Sequence, residues 1–466
     1  MATPTEIRDL LVVLPGILGS TLAKNDKLVW APSVGAVLSA IRTFGRSIKE
    51  LMLPEGVGDN HPGDGVTAED LMPDLHILPG LWTANIGYGA LLDQLRTKYQ
   101  VVEESPSEPG RIPNLLRVPY DWRLSNRYNG RQLKRKVEPA LEQWRSQGGV
   151  FAEARLIFIC HSMGGLVARW YIEKEGGAEL TRKLITLGTP YRGALSSLDQ
   201  LVNGVKKGIW PFKLDLTSFA RSLPSTHQLL PEYACIEGRE GLIKTTEVDV
   251  PELETKMVSD GMRFHDELNE AAQAHSPEDY LHPMVGTRQR TGTTARLDGR
   301  RVKVIDTYEG QDRGGDATVP RLSATPGEVK PDSPIIRWPA EKHGSLQSNK
   351  AVLDELDGIL TAEPSVHRGS AGKELRVDME ELLVLGEPLE ITAEPEERMR
   401  LQATVTDERG KRVIQIPLEP SEDVHRGIIE DLAPGAYQVV VGGVGPKAPL
   451  VADVTSSVLV WDEAAM

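Results

Sequence analysis

The 466-residue chain is poor in cysteine and in aromatic residues, which make up 5% of it, and it has no long apolar run. Cys160 and Cys235 are the only cysteines, so no disulfide framework is predicted. No segment approaches the roughly 18 consecutive apolar residues of a membrane-spanning helix. The N-terminal segment "MATPTEIRDLLVVLPGILGS" also lacks the pattern of a secretory signal peptide. We therefore expect a cytoplasmic location.

Positive charge is scarce as well. The chain has 53 Lys and Arg against 67 Asp and Glu, a formal net charge of −14. Nucleic-acid binding needs a basic surface, so no nucleic-acid partner is expected. The ten histidines show no zinc-binding spacing, and neither a metal nor another cofactor is predicted.

Through residue 360, short β-type runs alternate with helical patterns, which predicts βαβ units and a mostly parallel sheet. The predicted strands are Leu11–Leu14, Leu115–Pro119, Arg155–Cys160, Lys183–Leu187, Val302–Tyr308 and Pro334–Trp338. The predicted helices are Tyr88–Tyr99, Arg131–Arg145, Met163–Glu173 and Leu346–Leu360.

Four other stretches depart from this alternation. Residues 22–82 and 194–300 are irregular and too long for simple connections, which predicts cap and lid insertions. Residues 362–373 are small, polar and turn-forming, as in a linker. Residues 374–466 contain seven short strand patterns, which favour a β-sandwich of immunoglobulin-like type. The predicted division is thus an α/β domain over 1–361, a linker, and an all-β domain over 374–466.

The segment "LIFICHSMGGLVARWY", residues 156–171, runs from a strand pattern directly into a helix pattern. Its centre resembles the G-x-S-x-G nucleophile elbow, in which a sharp turn exposes a serine between small neighbours. Here Ser162 is the candidate nucleophile, and Cys160 replaces the first glycine. The alternative is that Ser162 is an ordinary helix N-cap.

An elbow serine needs a base and an acid that orients the base, which follow it in the order Ser, Asp or Glu, His. Asp316 lies in the glycine-rich "EGQDRGGDATVP" after one predicted strand. His343 lies in "PAEKHGSLQ" after the next. Singly, Asp316 could be a turn residue and His343 a surface or capping histidine. Their joint order favours a Ser162–Asp316–His343 triad.

The same logic predicts an oxyanion hole made of two backbone N–H groups. One belongs to Met163, which follows the serine, and the other to the loop after the first strand. In that loop, "LPGILGS", Ile17 is the candidate donor. The alternative for "PGILG" is a plain tight turn.

Together, these segments resemble the lecithin:cholesterol acyltransferase family over roughly residues 10–360. The resemblance rests on "VVLPGILGSTL", "VPYDWRLSN", "ICHSMGGLVARW", "LITLGTPYRGA", "FARSLPSTHQLLP", "GGDATVP" and "EKHGSLQ". It implies an α/β-hydrolase fold with cap and lid insertions that acts on acyl esters of lipids through an acyl-serine intermediate. It also implies Ser162, Asp316 and His343 as the triad, with Ile17 and Met163 as the oxyanion-hole donors. Asp121 and Arg123 look like scaffold residues of the family.

The chain departs from secreted members of the family, which carry a signal peptide and a disulfide near the lid. The stretch "VNGVKKGIWPFKLDLTSF" mixes lysines with Ile209, Trp210 and Phe212. This mixture suits a lid that makes transient contact with a membrane surface. An equally good interpretation is a cap that packs its aromatic side chains inward.

Three functions are compatible with these features. The leading one is a serine esterase of the lipase or phospholipase type, with acyl transfer as a variant. The second is a hydrolase of small esters or thioesters. The third is a non-catalytic binding protein that presents the β-sandwich to a partner whose identity the sequence leaves open.

Overall fold

The computed structural model describes residues 4–30, 50–72, 75–76, 85–104, 110–204, 206–207, 214–361, 374–397, 399–445 and 451–461. Before residue 362 the strands are β1 Leu10–Leu14, β2 Ser20–Lys24, β3 Lys27–Trp30, β4 Val66–Leu71, β5 Leu75–His76, β6 Asn85–Ile86, β7 Leu115–Arg117, β8 Leu156–His161, β9 Thr181–Leu187, β10 Lys206–Lys207, β11 Leu214–Asp215, β12 Ile236–Glu237, β13 Leu242–Ile243, β14 Leu281–Met284, β15 Thr294–Asp298, β16 Arg301–Ile305, β17 Thr307–Tyr308 and β18 Gln311–Asp312. After residue 373 they are β19 Leu375–Met379, β20 Leu382–Val384, β21 Leu389–Pro395, β22 Arg400–Asp407, β23 Arg412–Ser421, β24 Val424–Ile429, β25 Gly435–Val444 and β26 Val454–Trp461.

The α-helices are α1 Gly89–Lys98, α2 Asn126–Arg145, α3 Gly164–Lys174, α4 Leu195–Asn203, α5 Thr217–Ser222, α6 Pro224–His227, α7 Thr255–Ala272 and α8 Lys350–Thr361. Single turns of 3-10 helix occur at Gly149–Phe151, Ala178–Leu180, Thr245–Glu247, Pro277–Asp279, Arg321–Ser323 and His343–Ser345. No helix among the described residues is long and apolar enough to cross a membrane.

A five-stranded parallel sheet with the order β14-β9-β8-β1-β7 forms the centre of the molecule. The sequences of β1 and β8, LLVVL and LIFICH, are buried along their whole length. Continuous burial is expected of parallel strands that are covered on both faces. Helix α3 packs against β1, β8 and β9, and α2 packs against α3. The predicted α/β unit with a mostly parallel sheet is confirmed.

Helix α2 begins at Asn126, five residues before the predicted start, because Ser125 provides an N-cap whose side chain accepts a hydrogen bond from the Arg127 N–H at 3.1 Å. The helix continues past Pro139 to Arg145. Its buried side includes the four residues predicted from the helical spacing, Leu133, Val137, Leu141 and Trp144.

Two strand predictions in the second half of this unit are wrong. The Val302–Tyr308 run is split between β16 and β17, and β16 belongs to a four-stranded sheet of order β13-β12-β15-β16. Pro334–Trp338 forms no strand and makes one isolated bridge, from Arg337 to Met284. The Ile336 N–H donates to the Ser333 carbonyl in a turn, so it is not available to a strand ladder. The unpredicted β14 supplies the fifth central strand.

The predicted insertions fold into small sheets and helices. In residues 22–82, β3 and β4 flank β2 in a three-stranded sheet. In residues 194–300 lie α4 to α7, together with β14 itself, so this range includes a strand of the central sheet. The predicted linker, 362–373, lies outside the described residues.

The C-terminal region is all-β, as predicted. All seven predicted strands are present, and a short additional one, β20, pairs in parallel with the end of β26. The eight strands form one hydrogen-bonded sheet of order β19-β21-β24-β23-β22-β25-β26-β20, in which β23 pairs with β22 and then with β24. The immunoglobulin-like arrangement stays a prediction. The buried hydrophobic residues form two separate clusters, one within residues 7–359 and the other within residues 375–460.

Candidate active site

Ser162 lies in the sharp turn between β8 and α3 with a φ of 52°. This left-handed conformation is uncommon for a residue other than glycine. The N-cap position of α3 is occupied by Met163, and the Ser162 hydroxyl hydrogen-bonds with His343 rather than with the helix. The N-cap interpretation is therefore wrong for the Ser162 side chain.

Small neighbours allow the backbone to make this turn. A Cβ at Gly16 would lie 2.8 Å from the Ser162 Cβ. At Gly164 it would collide with the Pro15 carbonyl oxygen, and at Gly165 with the Thr189 side chain. The close approach of these segments thus requires glycine at all three positions.

His343 joins Ser162 to Asp316 through its two ring nitrogens. Its Nε2 lies 2.8 Å from Ser162 Oγ, and its Nδ1 lies 2.8 Å from Asp316 Oδ2. All three residues are buried: the exposed fraction is 6% for Ser162, 6% for His343 and 1% for Asp316. Because a carboxylate only accepts, Nδ1 donates to Asp316, and Nε2 is left to accept from the serine hydroxyl.

Asp316 is held in place by its other oxygen and by its backbone. Oδ1 accepts hydrogen bonds from the N–H groups of Thr318 at 3.0 Å and Val319 at 2.6 Å. The Asp316 carbonyl accepts from the His343 N–H at 2.8 Å. The carboxylate therefore has a fixed direction as well as a fixed position.

The loops that carry Asp316 and His343 do not follow the strands from which they were predicted to emerge. Asp316 does not directly follow a strand of the central sheet. Its loop is placed by the hydrogen bond from the Gln289 N–H to the Gly315 carbonyl. The segment that leads to His343 runs beside β14 through a bond from the Val285 N–H to the Arg337 carbonyl. Both loops thus depend on β14 and the residues that follow it.

The predicted oxyanion donors flank the serine. Gly16 to Gly19 form a tight turn closed by the bond from the Gly19 N–H to the Gly16 carbonyl, with Leu18 at a φ of 64°. Within the described part of the chain, the backbone N–H groups of Ile17 and Met163 have no hydrogen-bond acceptor. Such a pair of unused donors beside a serine can stabilise a developing oxyanion.

Tyr88 and His161 form a buried network that the sequence analysis did not identify. The Tyr88 hydroxyl accepts from the Gly16 N–H at 2.8 Å and lies 2.9 Å from His161 Nδ1. His161 Nε2 lies 3.0 Å from the His343 carbonyl oxygen. A carbonyl only accepts, so Nε2 donates to it and Nδ1 accepts from Tyr88. In the sequence, the one signal for this network is that His161 directly precedes Ser162.

The expected scaffold residues Asp121 and Arg123 make no hydrogen bond to this network. Arg123 is buried and binds Asp121 through Nε and Nη2, and Asp64 through Nη1 at 2.8 Å. This ion cluster fixes the loop after β7 to the first insertion, which fits the expected scaffold role. The three lid candidates, Ile209, Trp210 and Phe212, lie outside the described residues.

No group of three or more potential metal-ligating side chains, from His, Cys, Asp and Glu, comes together in the described residues. Both cysteines are buried and free. Burial raises the pKa of the Cys160 thiol well above its ordinary value, so this group stays protonated at neutral pH.

Comparison with known proteins confirms the family resemblance for part of the chain. Residues 91–282 match the sequence model of the lecithin:cholesterol acyltransferase family. This segment includes Ser162 and Met163 but ends before Asp316 and His343. No curated protein sequence matches the chain.

Three of the solved structures that match this chain share 11–12% of its sequence. The propeptide form of the lipase BlEst2 from Bacillus licheniformis is 11% identical over 98% of this chain and 95% of its own, with a TM-score of 0.35. The mature form is 12% identical over 77% of this chain and 95% of its own, also with a TM-score of 0.35. A β-glucuronidase from Ruminococcus gnavus matches 19% of this chain and 16% of its own at 12% identity, with a TM-score of 0.14. Similarity at this level does not establish a shared fold or function.

Proposed function

We propose that this protein is a serine hydrolase of the α/β-hydrolase type that cleaves acyl esters of lipids through an acyl-serine intermediate. The observation that carries the proposal is the hydrogen-bonded row from Ser162 through His343 to Asp316 beside two unused N–H donors. The family match over residues 91–282 supports an acyl ester as the substrate.

In the proposed reaction, His343 Nε2 takes the hydroxyl proton while Ser162 Oγ attacks the ester carbonyl carbon. Asp316 stabilises the imidazolium that forms. The N–H groups of Ile17 and Met163 hold the oxyanion. When the carbon–oxygen ester bond breaks, His343 returns the proton to the leaving alcohol. Water then gives a proton to His343 and attacks the acyl-serine. His343 returns that proton to Ser162 Oγ as the bond from Oγ to the acyl carbon breaks and the acid is released.

An acceptor alcohol in place of water gives acyl transfer by the same steps, since both reactions use the same five residues. Which acceptor prevails depends on what reaches the acyl-enzyme. Assay of the wild-type protein with a phospholipid in vesicles, with and without a long-chain alcohol, separates a free fatty acid from a new ester.

The first test is covalent labelling by a fluorophosphonate, which modifies a serine only when its base and oxyanion hole are assembled. We expect one adduct by intact-mass analysis on the native protein and none on Ser162→Ala or on heat-unfolded protein. Ser197→Ala is a matched control, because Ser197 is buried and its hydroxyl donates to the Thr226 carbonyl. It should be labelled like the wild type.

The turnover of an ester substrate should fall by about 10⁶-fold in His343→Ala and by about 10⁴-fold in Asp316→Asn, since each change leaves the oxyanion hole but disables proton transfer. Circular dichroism checks that each variant is folded. Near-normal turnover in either folded variant would contradict the assignment.

A second candidate is a hydrolase of small soluble esters or thioesters, with the same site under a cap that excludes bilayer lipid. The two are separated by the ratio of activity on phospholipid vesicles to activity on a short-chain p-nitrophenyl ester. The lipid-ester proposal expects a gain on vesicles or micelles, and the small-ester alternative expects none. A protein that is not labelled under any condition would instead be a binding protein.

The domain division belongs to the same proposal. The catalytic unit spans residues 1–361, residues 362–373 form the linker, and residues 374–466 form the β-domain, for which an immunoglobulin-like sandwich remains the expected type. The two separate hydrophobic clusters support this division.

A further inference from the structure

The loop that carries His343 is fastened to the C-terminal sheet on both sides of that histidine. On one side, the Lys342 ammonium donates to Ser456 Oγ at 3.0 Å. On the other, the Ser345 hydroxyl donates to the Thr455 carbonyl at 3.0 Å. Both partners lie in β26, and all four contacting residues are buried.

Glu341 completes this attachment. Its side chain is fully buried, and Oε1 accepts from the Lys342 N–H at 2.7 Å and from the Thr455 N–H at 3.0 Å. Oε2 accepts from Asn349 Nδ2 at 2.5 Å. One carboxyl group thus links the His343 loop, the start of α8 and β26.

These contacts cover the part of the β26 edge that β20 leaves unpaired. The pairing of β20 reaches only Leu459 to Trp461. Farther along β26, the Thr455 N–H donates to the Glu341 carboxyl group, and the Thr455 carbonyl accepts from the Ser345 hydroxyl. An exposed strand edge ordinarily needs such partners or a cover. The His343 loop therefore serves as that cover.

The Asp316 loop is fastened to the opposite end of the same sheet. The Gln289 N–H binds the carbonyl of Gly315, which precedes Asp316. The buried Gln289 amide donates to the Leu375 carbonyl at 3.1 Å and accepts from the Val377 N–H at 3.2 Å. Leu375 and Val377 belong to β19, the edge strand at the other end of the sheet order.

We propose that the C-terminal β-domain is a positioning element of the active site, in which β26 and β19 hold the loops of His343 and Asp316, with Glu341 and Gln289 as the positioning residues. This inference rests on the proposed hydrolase function. Neither residue touches the reacting atoms. Each acts through the hydrogen bond that joins His343 to Asp316.

The state of the Glu341 carboxyl supports this role. Burial raises its pKa to about 7, although the N–H groups of Lys342 and Thr455 and the side chains of Asn349 and Ser345 act in the opposite direction. The cation next to it, Lys342 Nζ, is directed at Ser456. Keeping an acid buried at this point costs stability, as is common where a residue serves function.

The test compares Glu341→Ala, Glu341→Gln and Gln289→Ala in the full chain. Two readouts are used: the rate of fluorophosphonate labelling, and the low-field ¹H NMR resonance of the proton between His343 Nδ1 and Asp316. We expect Glu341→Ala to lower the labelling rate and kcat on the order of 10–100-fold, because a displaced base loses most of its effect. KM should change less than about twofold under the same principle. The resonance should broaden or shift.

Exchanging the donor and the acceptor tests the hydrogen bond between Asn349 and Glu341 specifically. In Glu341→Gln, an amide N–H₂ faces the Asn349 N–H₂, so two donors meet. Adding Asn349→Asp puts a carboxylate oxygen opposite the new amide N–H₂ at position 341, so a donor again faces an acceptor. The other oxygen of that carboxylate still accepts from the N–H groups of Ala351 and Val352 at the start of α8. The double variant should label faster than Glu341→Gln alone.

Neighbouring serines give a matched control. Ser456→Ala removes the acceptor of Lys342 and should slow labelling. Ser457→Ala changes the next buried residue of β26, whose side chain alternates to the other face. It should label like the wild type.

The outcomes are separable. Folded Glu341→Ala and Gln289→Ala that keep the wild-type labelling rate and resonance would overturn the inference while leaving the hydrolase proposal intact. A shifted resonance in a protein that no fluorophosphonate labels would support the positioning role and overturn the hydrolase function. If Glu341→Ala does not fold, Glu341→Gln and Gln289→Ala decide the matter.

Discussion

At the scale of single residues, the site depends on positions that make no hydrogen bond to it. Gly188 directly follows β9 with a φ of 63°, and a Cβ there would lie 2.9 Å from Asp316 Oδ2 and 3.0 Å from His343 Nδ1. At Gly286, a Cβ would collide with the Asp316 Cβ. The absence of a side chain at these glycines leaves the room in which the acid and the base meet.

We therefore expect Gly188→Ala to lower kcat by about 100-fold, since a displacement of the base by about 1 Å has an effect of this size. Gly148→Ala is the control. Gly148 has a similar φ of 72°, but nothing lies within 4 Å of the Cβ it would gain. Steady-state kinetics of both variants separates backbone strain from crowding of the triad. Equal losses in the two variants would refute the crowding explanation.

At the scale of elements, the sequence predicted strands and helices most accurately where their buried residues follow an uninterrupted hydrophobic pattern. The all-apolar β1 and β8, and the four-residue face of α2, were found in their predicted places. The fifth central strand, β14, was missed because Leu281–Met284 contains His282 and Pro283 and is too short for a clear pattern. Pro334–Trp338 was predicted as a strand from its composition, but its Ile336 N–H closes a turn with the Ser333 carbonyl instead of pairing with a strand.

For the site, sequence order predicted which residues meet but not how they are held. Ser162, Asp316 and His343 came together although the strands assigned before the last two were wrong. Loop position and residue type carried that prediction. Tyr88, Glu341 and their hydrogen bonds depend on contacts between residues far apart in the chain, which no local pattern reports.

Tyr88 connects three elements, so its removal tests their coupling. Tyr88→Phe leaves the Gly16 N–H and His161 Nδ1 without this partner in a buried site. We expect a loss of about 1–3 kcal/mol in the free energy of unfolding. A fall in kcat/KM on the order of tenfold should accompany it, as the oxyanion loop shifts. Urea denaturation and steady-state kinetics measure the two effects.

The control is Tyr233→Phe, which removes a buried hydroxyl that donates to the Thr293 carbonyl away from the site. This variant should lose stability but keep its kcat/KM. A Tyr88→Phe variant with wild-type kinetics would show that the network is structural only.

At the scale of the whole molecule, two units with separate cores are joined by polar contacts at the loops that carry His343 and Asp316. The family match ends at residue 282, whereas the contacts that hold the two loops come from strands beyond residue 374. A hydrophobic core common to both units is not what joins them, since the buried clusters of the described chain are distinct. The junction is polar, and its strength therefore depends on protonation.

The pH dependence of stability should report this junction. The pKa of Glu341 is raised from 4.5 to about 7 by burial, so the folded state binds the proton more tightly than the unfolded state. Its contribution is complete below about pH 4.5 and is lost as the pH rises to about 7. The loss amounts to about 3 kcal/mol. The stability of the wild type relative to Glu341→Gln should fall by about that amount over this range.

Two other groups with shifted pKa values are common to both proteins. Burial lowers the pKa of His282 to about 4, so its contribution is present above about pH 6.5 and is lost at lower pH. Burial raises the pKa of Asp453. Comparison with Glu341→Gln cancels both effects. Urea denaturation at several pH values measures the difference, and parallel stability curves for the two proteins would contradict the prediction.

The position of β26 in the chain also has a consequence for biosynthesis. His343 precedes Thr455 by more than a hundred residues, which a ribosome adds in about 5–20 s at ordinary elongation rates. Throughout that interval the nascent chain holds its serine and its base, but the strand that aligns the base has not yet been made. On the proposed positioning role, full esterase activity would develop only when β26 has emerged and paired. The order of the chain itself would keep the activity of an unfinished enzyme low.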